Sequence, residues 1–326
     1  MSTLSKPLCT KPFTSAVIDF EPNLKFAPCC LWKHTDQYNF KASTIQDYLT
    51  SPVLAQLKKD FISTDQLPVN CTICKEAEAH GQHSMRQDSL REDFFKDELQ
   101  YIEYTFFDNQ CNMACFMCKP QSSTTLGHEY VKLGWLDEVP RIDNSSVVDT
   151  LQTIEGDITL IVTGGEPLIS KQFAELVDLV LDKNWSIDVI SNGSVINTRA
   201  VEQLVKVKHV KLNLSMDGVS STYNLMRWPF TWENFDNNLL YFKKHIDQVS
   251  INFTAQILNI HNLLESIEYA NSRTIPIRIE TVRRAPWLSW SVLTDNERDI
   301  VVGHIQNQMH QARLLSNQKY SIIGVL

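Results

Sequence analysis

Cys111, Cys115 and Cys118 stand in a CxxxCxxC array, and three thiolates are a donor set that iron–sulfur clusters take. A 4Fe-4S cube held by only three cysteines keeps one iron without a protein ligand, open to another molecule as a catalytic zinc keeps an open position. The competing use of the triplet is a zinc ion completed by a nearby histidine, although zinc motifs ordinarily come as CxxC pairs. The other cysteines of the eight are Cys9, Cys29, Cys30, Cys71 and Cys74, and none follows Cys118. A disulfide framework would spread through the fold it staples; crowding of this kind points to metal ligation in a reducing compartment.

The second chemical signature is Gly164-Gly165-Glu166-Pro167. Paired glycines permit positive φ and close approach of the backbone to a ligand, and Pro167 fixes the turn into the next helix. Alone, such a segment is an ordinary strand-to-helix turn. What gives it weight is its place relative to the cysteine triplet.

That place is set by six short apolar runs, Tyr101–Phe106, Asp157–Thr163, Trp185–Ile190, His209–Ser215, Val249–Ala255 and Pro276–Val282. They alternate with amphipathic stretches such as Lys171–Lys183 and Thr198–Val207, long enough for crossover helices. This is the pattern of βα units and a parallel sheet, and six units predict an α/β fold with a partial (βα)6 barrel. Ligands gather at the carboxyl ends of such strands. The loops there carry the cysteine triplet, GGEP, Ser191-Asn192-Gly193 and Met216-Asp217-Gly218 in turn, so four polar or glycine-bearing loops converge on one rim.

The first hundred residues read differently. Ala16–Phe20 and Leu24–Ala27 flank Glu21-Pro22-Asn23, a hairpin that delivers the chain to Cys29 and Cys30. A helix in two pieces follows, the second started by Ser51 as N-cap and Pro52 at the first helical position. Cys71-Thr72-Ile73-Cys74 opens a polar helical stretch through Arg86. No repeat or low-complexity linker separates this segment, so it is expected to pack against the barrel as a small metal-binding module, residues 1–98, beside a catalytic unit of 99–326.

Composition narrows the function classes. Hydrophobic residues make up 43% of the 326-residue chain and charged residues 21%, the balance of a globular protein. No apolar run approaches the roughly 20 residues of a membrane-spanning helix. MSTLSKPLCTKPF lacks an apolar core after a basic start, which predicts a cytoplasmic protein rather than a secreted one. A formal charge of −8 without a Lys/Arg stripe argues against bulk nucleic-acid binding.

CxxxCxxC after the first strand with GGEP after the second resembles the radical S-adenosylmethionine superfamily over about Tyr101 to Val282. The resemblance implies a catalytic 4Fe-4S cluster on Cys111, Cys115 and Cys118, with S-adenosyl-L-methionine chelated by its open iron. It implies Gly164, Gly165, Glu166 and Pro167 at the methionine end of that cofactor, and Ser191, Asn192 and Gly193 in the loop after the third strand. Ser215 and Asp217 resemble the ribose-contacting segment, and Arg227 an arginine near the bound carboxylate. The implied chemistry is reductive cleavage to a 5′-deoxyadenosyl radical that takes hydrogen from a peptide, a protein or a small molecule, with an electron supplied by a reductant such as flavodoxin or ferredoxin. CTKPF at Cys9, the Cys29-Cys30 doublet and CTIC resemble the auxiliary-cluster module of twitch- or SPASM-like members. This implies a second 4Fe-4S cluster on Cys9, Cys29, Cys71 and Cys74; a structural zinc on the same thiols is the alternative, and His80 and His83 are further candidate ligands. Neighbours at a strand end point to opposite faces, so Cys29 and Cys30 cannot both reach one metal; Cys29 is chosen by its spacing from Leu24. Arg283, Arg284, Trp287 and Trp290 are candidate substrate contacts beyond the sixth strand. The reading from another class is an electron carrier or metal-stabilised binding module, which has no use for GGEP.

Overall fold

The computed structural model describes residues 7–19, 24–81, 83–91, 96–105, 108–142, 147–282, 285–289, 292–315 and 322–323. Among the described residues nine strands form one sheet: β1 Ser15–Asp19, β2 Lys25–Ala27, β3 Tyr101–Thr105, β4 Thr159–Val162, β5 Ser186–Ser191, β6 Val210–Ser215, β7 Gln248–Ala255, β8 Ile277–Thr281 and β9 Ile322–Ile323. Their order is β2-β1-β3-β4-β5-β6-β7-β8-β9, and every neighbouring pair is parallel except β1 with β2. The order ends on β2 and β9 rather than returning on itself, so the barrel is partial.

The six apolar runs are β3 to β8. Their side chains alternate across the sheet, as a strand's period of two requires. Leu160, Val162, Ile187, Val189, Leu212, Leu214, Ile251 and Phe253 face the helices and are all but inaccessible. The crossover helix Lys171–Asp182 lays Phe173, Leu176, Val177 and Val180 on that layer. Each such side chain contributes about 1.5–3 kcal/mol by leaving water. Trp185 closes the helix-to-strand turn, its indole N–H donating to the Gly156 carbonyl at 2.9 Å.

The amino-terminal segment is joined to this sheet by hydrogen bonds, a closer union than packing alone. Ser15 to Asp19 of β1 lie in parallel register with Tyr101 to Thr105 of β3, and β2 folds back antiparallel on β1. The predicted hairpin is therefore present, with its turn residues 21–23 outside the described residues. The two-piece helix is also as expected: Ile45–Leu49, then Pro52–Ser63, with Ser51 Oγ accepting from the Leu54 N–H at 3.1 Å. The stretch after Cys71 is two short helices, Thr72–Ala79 and Met85–Ser89, separated around Gly81 at φ +71°.

Candidate active site

The loop that leaves β3 brings Cys111, Cys115 and Cys118 together at the carboxyl end of the sheet. Cys111 and Cys115 are buried and Cys118 is half-buried, and Met113 packs among them. The loop is pinned from both sides. Ala114 and Phe116 donate backbone N–H bonds to the carbonyls of Trp228 and Met226, at 2.8 and 3.0 Å. On the other side Thr124 Oγ1 bonds both the N–H and the carbonyl of Cys111, at 3.2 and 3.1 Å.

GGEP docks directly on this loop. Gly165 has φ +57°, and a Cβ there would stand 2.4 Å from the Asp108 carbonyl oxygen and 2.8 Å from that of Gln110. The Glu166 N–H donates to the same Gln110 carbonyl at 2.8 Å. The position requires glycine both for its left-handed backbone and for the approach of two chains.

The Glu166 carboxylate turns inward. It is fully buried and accepts from the Leu168 N–H at 3.0 Å, the Ser191 hydroxyl at 2.7 Å and the Asn192 N–H at 2.6 Å. Burial pushes its pKa up, against those donors. Glu166 thus ties the loop after β4 to the loop after β5. Asn192 carries the tie onward, its Nδ2 lying 3.7 Å from Cys111 Sγ and 3.2 Å from Asn112 Oδ1.

Arg227 approaches from the opposite side, with Nη1 3.7 Å from Cys115 Sγ and an ion pair to the buried Asp217. Burial works against the cation, yet Asp217 and Cys115 together hold its pKa above the usual arginine range. Asp217 also accepts the Thr254 N–H at 2.7 Å. Burial and the neighbouring Cys115 push the Cys111 and Cys118 thiols up to about 12. Cys115 is raised by burial too, with Arg227 opposing.

These elements enclose a cleft of about 270 Å³, which Cys111, Cys115, Cys118, Gly164, Gly165, Ser191, Asn192, Ser215, Arg227 and Trp287 all line. Glu166, Pro167, Gly193 and Asp217 stand behind that wall. Gly193, at φ +69°, is packed against Phe235, and Pro167 opens a short 3-10 turn after Glu166. Thr124, Asn112 and Ser194 support the site without having been singled out in the sequence. Asn112 and Ser194 lie inside or beside the motif segments and bond one another at 2.9 Å. Nothing in sequence spacing marks Thr124. Of the candidate substrate contacts, Trp287 lines the cleft and is 58% exposed, while Arg283, Arg284 and Trp290 lie outside the described residues.

The amino-terminal thiols form a separate group. They lie near enough that, behind burial, Cys30, Cys9 and Cys71 help to raise the pKa of Cys29, Cys74 that of Cys9, and Cys9 and Cys74 that of Cys71. Burial pushes the Cys71 thiol up to about 12 and raises the Cys29 thiol as well. The helix Met85–Ser89 covers them, with Ser89 Oγ 3.4 Å from Cys9 Sγ and Arg86 bonded to the Leu8 carbonyl at 3.0 Å. His80 and His83 turn elsewhere, His80 to the Glu76 carbonyl at 2.7 Å and His83 to Asp88 at 2.6 Å. All eight cysteines are free. Among the described residues no three His, Cys, Asp or Glu side chains converge to hold a single metal ion, either here or at Cys111, Cys115 and Cys118. No helix among them is long and apolar enough to cross a membrane.

Residues 106–270 match the family model of the radical SAM superfamily. The sporulation killing factor maturation protein SkfB of Bacillus subtilis is 27% identical over 179 residues, covering 55% of this chain and 41% of that protein. The probable GTP 3′,8-cyclase of Methanocaldococcus jannaschii is 24% identical over 166 residues, 49% of this chain and 52% of that one. The chain thus spans about half or less of these curated relatives. Among solved structures, Streptococcus suis SuiB bound to S-adenosylmethionine superposes with a TM-score of 0.44 at 13% identity, covering 93% of this chain and 68% of that one.

Proposed function

This chain belongs to the radical SAM superfamily, and from that premise we propose that it cleaves S-adenosylmethionine reductively and directs the resulting radical at a peptide, protein or small-molecule substrate. The observation that carries the reading is the convergence of Cys111, Cys115 and Cys118 with Gly164, Gly165 and Asn192 around one cleft. The residues suit both groups the family implies. Three thiols of one loop supply the ligands of a 4Fe-4S cluster with an open iron. Arg227 Nε is buried with no hydrogen-bond partner among the described residues, beside Cys115, where it fits a carboxylate. When bound, the cluster and S-adenosylmethionine together supply the electron and the hydrogen-abstracting radical.

The chain's own part is to hold and to shield. Gly164 and Gly165 offer close backbone approach at the cleft wall, Glu166 fixes that wall to the Ser191-Asn192 loop, and Arg227 sets a positive charge against the thiolate of Cys115. The burial of Cys111, Met113 and Cys115 shields the thiol pocket from water. An electron carrier or binding module would have no use for the glycine wall or for the unpartnered Nε of Arg227.

The amino-terminal thiols support a second metal site in a module of residues 1–98 that shares its sheet with the barrel of 99–326. Cys9, Cys29, Cys71 and Cys74 form its ligand set, and four thiols suit a second 4Fe-4S cluster, with a structural zinc on the same set as the alternative. A reducing compartment, the cytoplasm, and a small electron donor such as flavodoxin or ferredoxin complete the reading.

The test is anaerobic reconstitution with iron and sulfide, then incubation with S-adenosylmethionine and dithionite. The expected product is 5′-deoxyadenosine, absent when Cys111, Cys115 and Cys118 are replaced by Ala. Iron-loaded wild type that yields none would refute the enzymatic reading.

A further inference from the structure

The inner face of the sheet encloses a second cavity of about 240 Å³, which meets the cleft at a shared wall residue, Ile190. Parallel strands packed on both faces ordinarily carry Val, Ile and Leu on each. Here β3 presents Glu103, β5 Asp188, β6 Lys211 and Asn213, and β8 Arg278 and Glu280. The register sets Asp188 beside Lys211 on neighbouring strands. Asp188 accepts a hydrogen bond from Asn213, Lys211 Nζ lies 3.7 Å from Asp188 Oδ2, and Arg278 Nη2 lies 2.6 Å from Glu280 Oε1. Side-chain exposure is 48% at Lys211 and 51% at Arg278, against 22% at Asp188 and 32% at Glu280, so the charges stay in reach of water and of anything that enters from it.

The signs balance. Glu103, Asp188 and Glu280 face Lys11, Lys211 and Arg278 around the one cavity. We infer that the lumen binds a zwitterion of the free α-amino acid class, its ammonium group toward Glu103 and Asp188 and its carboxylate toward Lys211 and Arg278. The inference rests on the reading of the adjoining cleft as the S-adenosylmethionine site, since a substrate must lie within reach of that cofactor. A nucleoside triphosphate would set its charge against three carboxylates in a confined space. An apolar ligand would desolvate polar groups and leave them unpaired. Cys29 and Cys30 line the amino end of the same cavity, where the second metal would sit, and the rest of a volume already below the 300–1,000 Å³ typical of sites for drug-sized molecules suits a single amino acid. At 3.7 Å the Lys211–Asp188 pair is longer than a direct hydrogen bond, so ammonium donors and carboxylate lone pairs remain for a ligand to use.

Saturation-transfer NMR on the iron-reconstituted full chain, with the common L-amino acids as a pool and GTP as the counter-probe, tests this. At least one amino acid should receive saturation and GTP none. Its Kd should rise at least about tenfold in Asp188→Asn and in Lys211→Gln. Far-UV circular dichroism reports whether each variant is folded, and the wild-type comparison of amino acids with GTP stands without any variant. Binding of GTP alone, binding of no amino acid, or affinities unmoved in folded Asp188→Asn and Lys211→Gln would overturn the inference. Cleavage of S-adenosylmethionine, measured on the same samples, separates the two readings. Cleavage without amino-acid binding sinks the zwitterion alone, and amino-acid binding without cleavage sinks the proposed chemistry alone.

Discussion

Gly165→Ala tests the contact that joins the two halves of the site. At φ +57° an L-residue costs about 1–2 kcal/mol over glycine. The added methyl would also meet backbone oxygens of Asp108 and Gln110 at 2.4 and 2.8 Å, and neither can swing aside as a flexible side chain could. Overpacking of this kind costs about a further 1–3 kcal/mol, for a total of about 2–5 kcal/mol. Gly134 supplies the internal control, because it has φ +71° and nothing within 4 Å of a built Cβ. Gly134→Ala should therefore show the backbone cost alone, about 1–2 kcal/mol. Urea unfolding of the two variants beside wild type measures the difference directly. Since relief of the clash must move Gln110, which precedes Cys111, Gly165→Ala should also weaken S-adenosylmethionine binding by at least about tenfold while Gly134→Ala leaves it unchanged. Equal stability losses in the two variants, or wild-type cofactor affinity in Gly165→Ala, would refute the account of how GGEP and the cysteine loop are held together.

Glu166→Ala strands three buried donors, at about 1–3 kcal/mol each, and should cut S-adenosylmethionine affinity at least about tenfold while iron content holds; iron loss would show that the loop also retains the cluster. With Cys118 pushed up to about 12, the metal-free protein should be alkylated at this thiol slowly at pH 8, and about tenfold faster per pH unit as the thiolate fraction grows; a plateau below pH 10 would contradict the burial argument. Two 4Fe-4S clusters predict about eight irons per chain, falling to about four when Cys71 and Cys74 are both replaced by Ala, with zinc in place of the lost four counting against the second cluster. Cys29→Ala should lose the amino-terminal metal and Cys30→Ala should keep it; equal metal in Cys29→Ala and wild type would refute the ligand set.

The barrel was legible because its strands are continuous apolar runs spaced by amphipathic crossovers, and β3 to β8 fall within a residue or two of those runs. The amino-terminal connection was less so. Ser15–Asp19 is too short to declare a partner, and its parallel pairing with β3 spans more than eighty residues of intervening chain. β9 is a two-residue strand with no periodicity to detect. At the site, motif spacing named the thiols and the glycine wall but carried nothing about the direction of side chains. Glu166 and Asp217 read as ligand contacts; the structure adds that Glu166 bonds the loop after β5 and that Asp217 bonds Arg227 and Thr254. Orientation of this kind depends on which neighbouring strand supplies the donor, and a single sequence carries no such information. The polar inner face was hidden for a related reason: Glu103, Asp188 and Lys211 each sit singly within an apolar run and become a cluster only when the strands align.

The alignment also relates the two thiol groups. Antiparallel pairing of Val17 with Ala27 carries the chain back toward the Ser15 end of β1, so Cys29 and Cys30 emerge level with Tyr101, at the amino end of β3. Both line the lumen there, against the expectation of opposite faces, because β2 ends at Ala27 and the doublet lies in the turn beyond it. Cys111 follows β3 at its carboxyl end. Five residues of strand separate the two levels, roughly 16 Å at 3.3 Å per residue. A metal on the amino-terminal thiols would thus face the lumen from one end, as the open iron on Cys111, Cys115 and Cys118 would from the other. The charged wall of Glu103, Asp188, Lys211 and Arg278 lies between them. The amino-terminal segment then has a reason to be hydrogen-bonded into the sheet. A module merely resting against the barrel could shift by the ångströms that matter for a ligand held between two centres, whereas β1 in register with β3 fixes one end of the lumen to the same ladder that fixes the other.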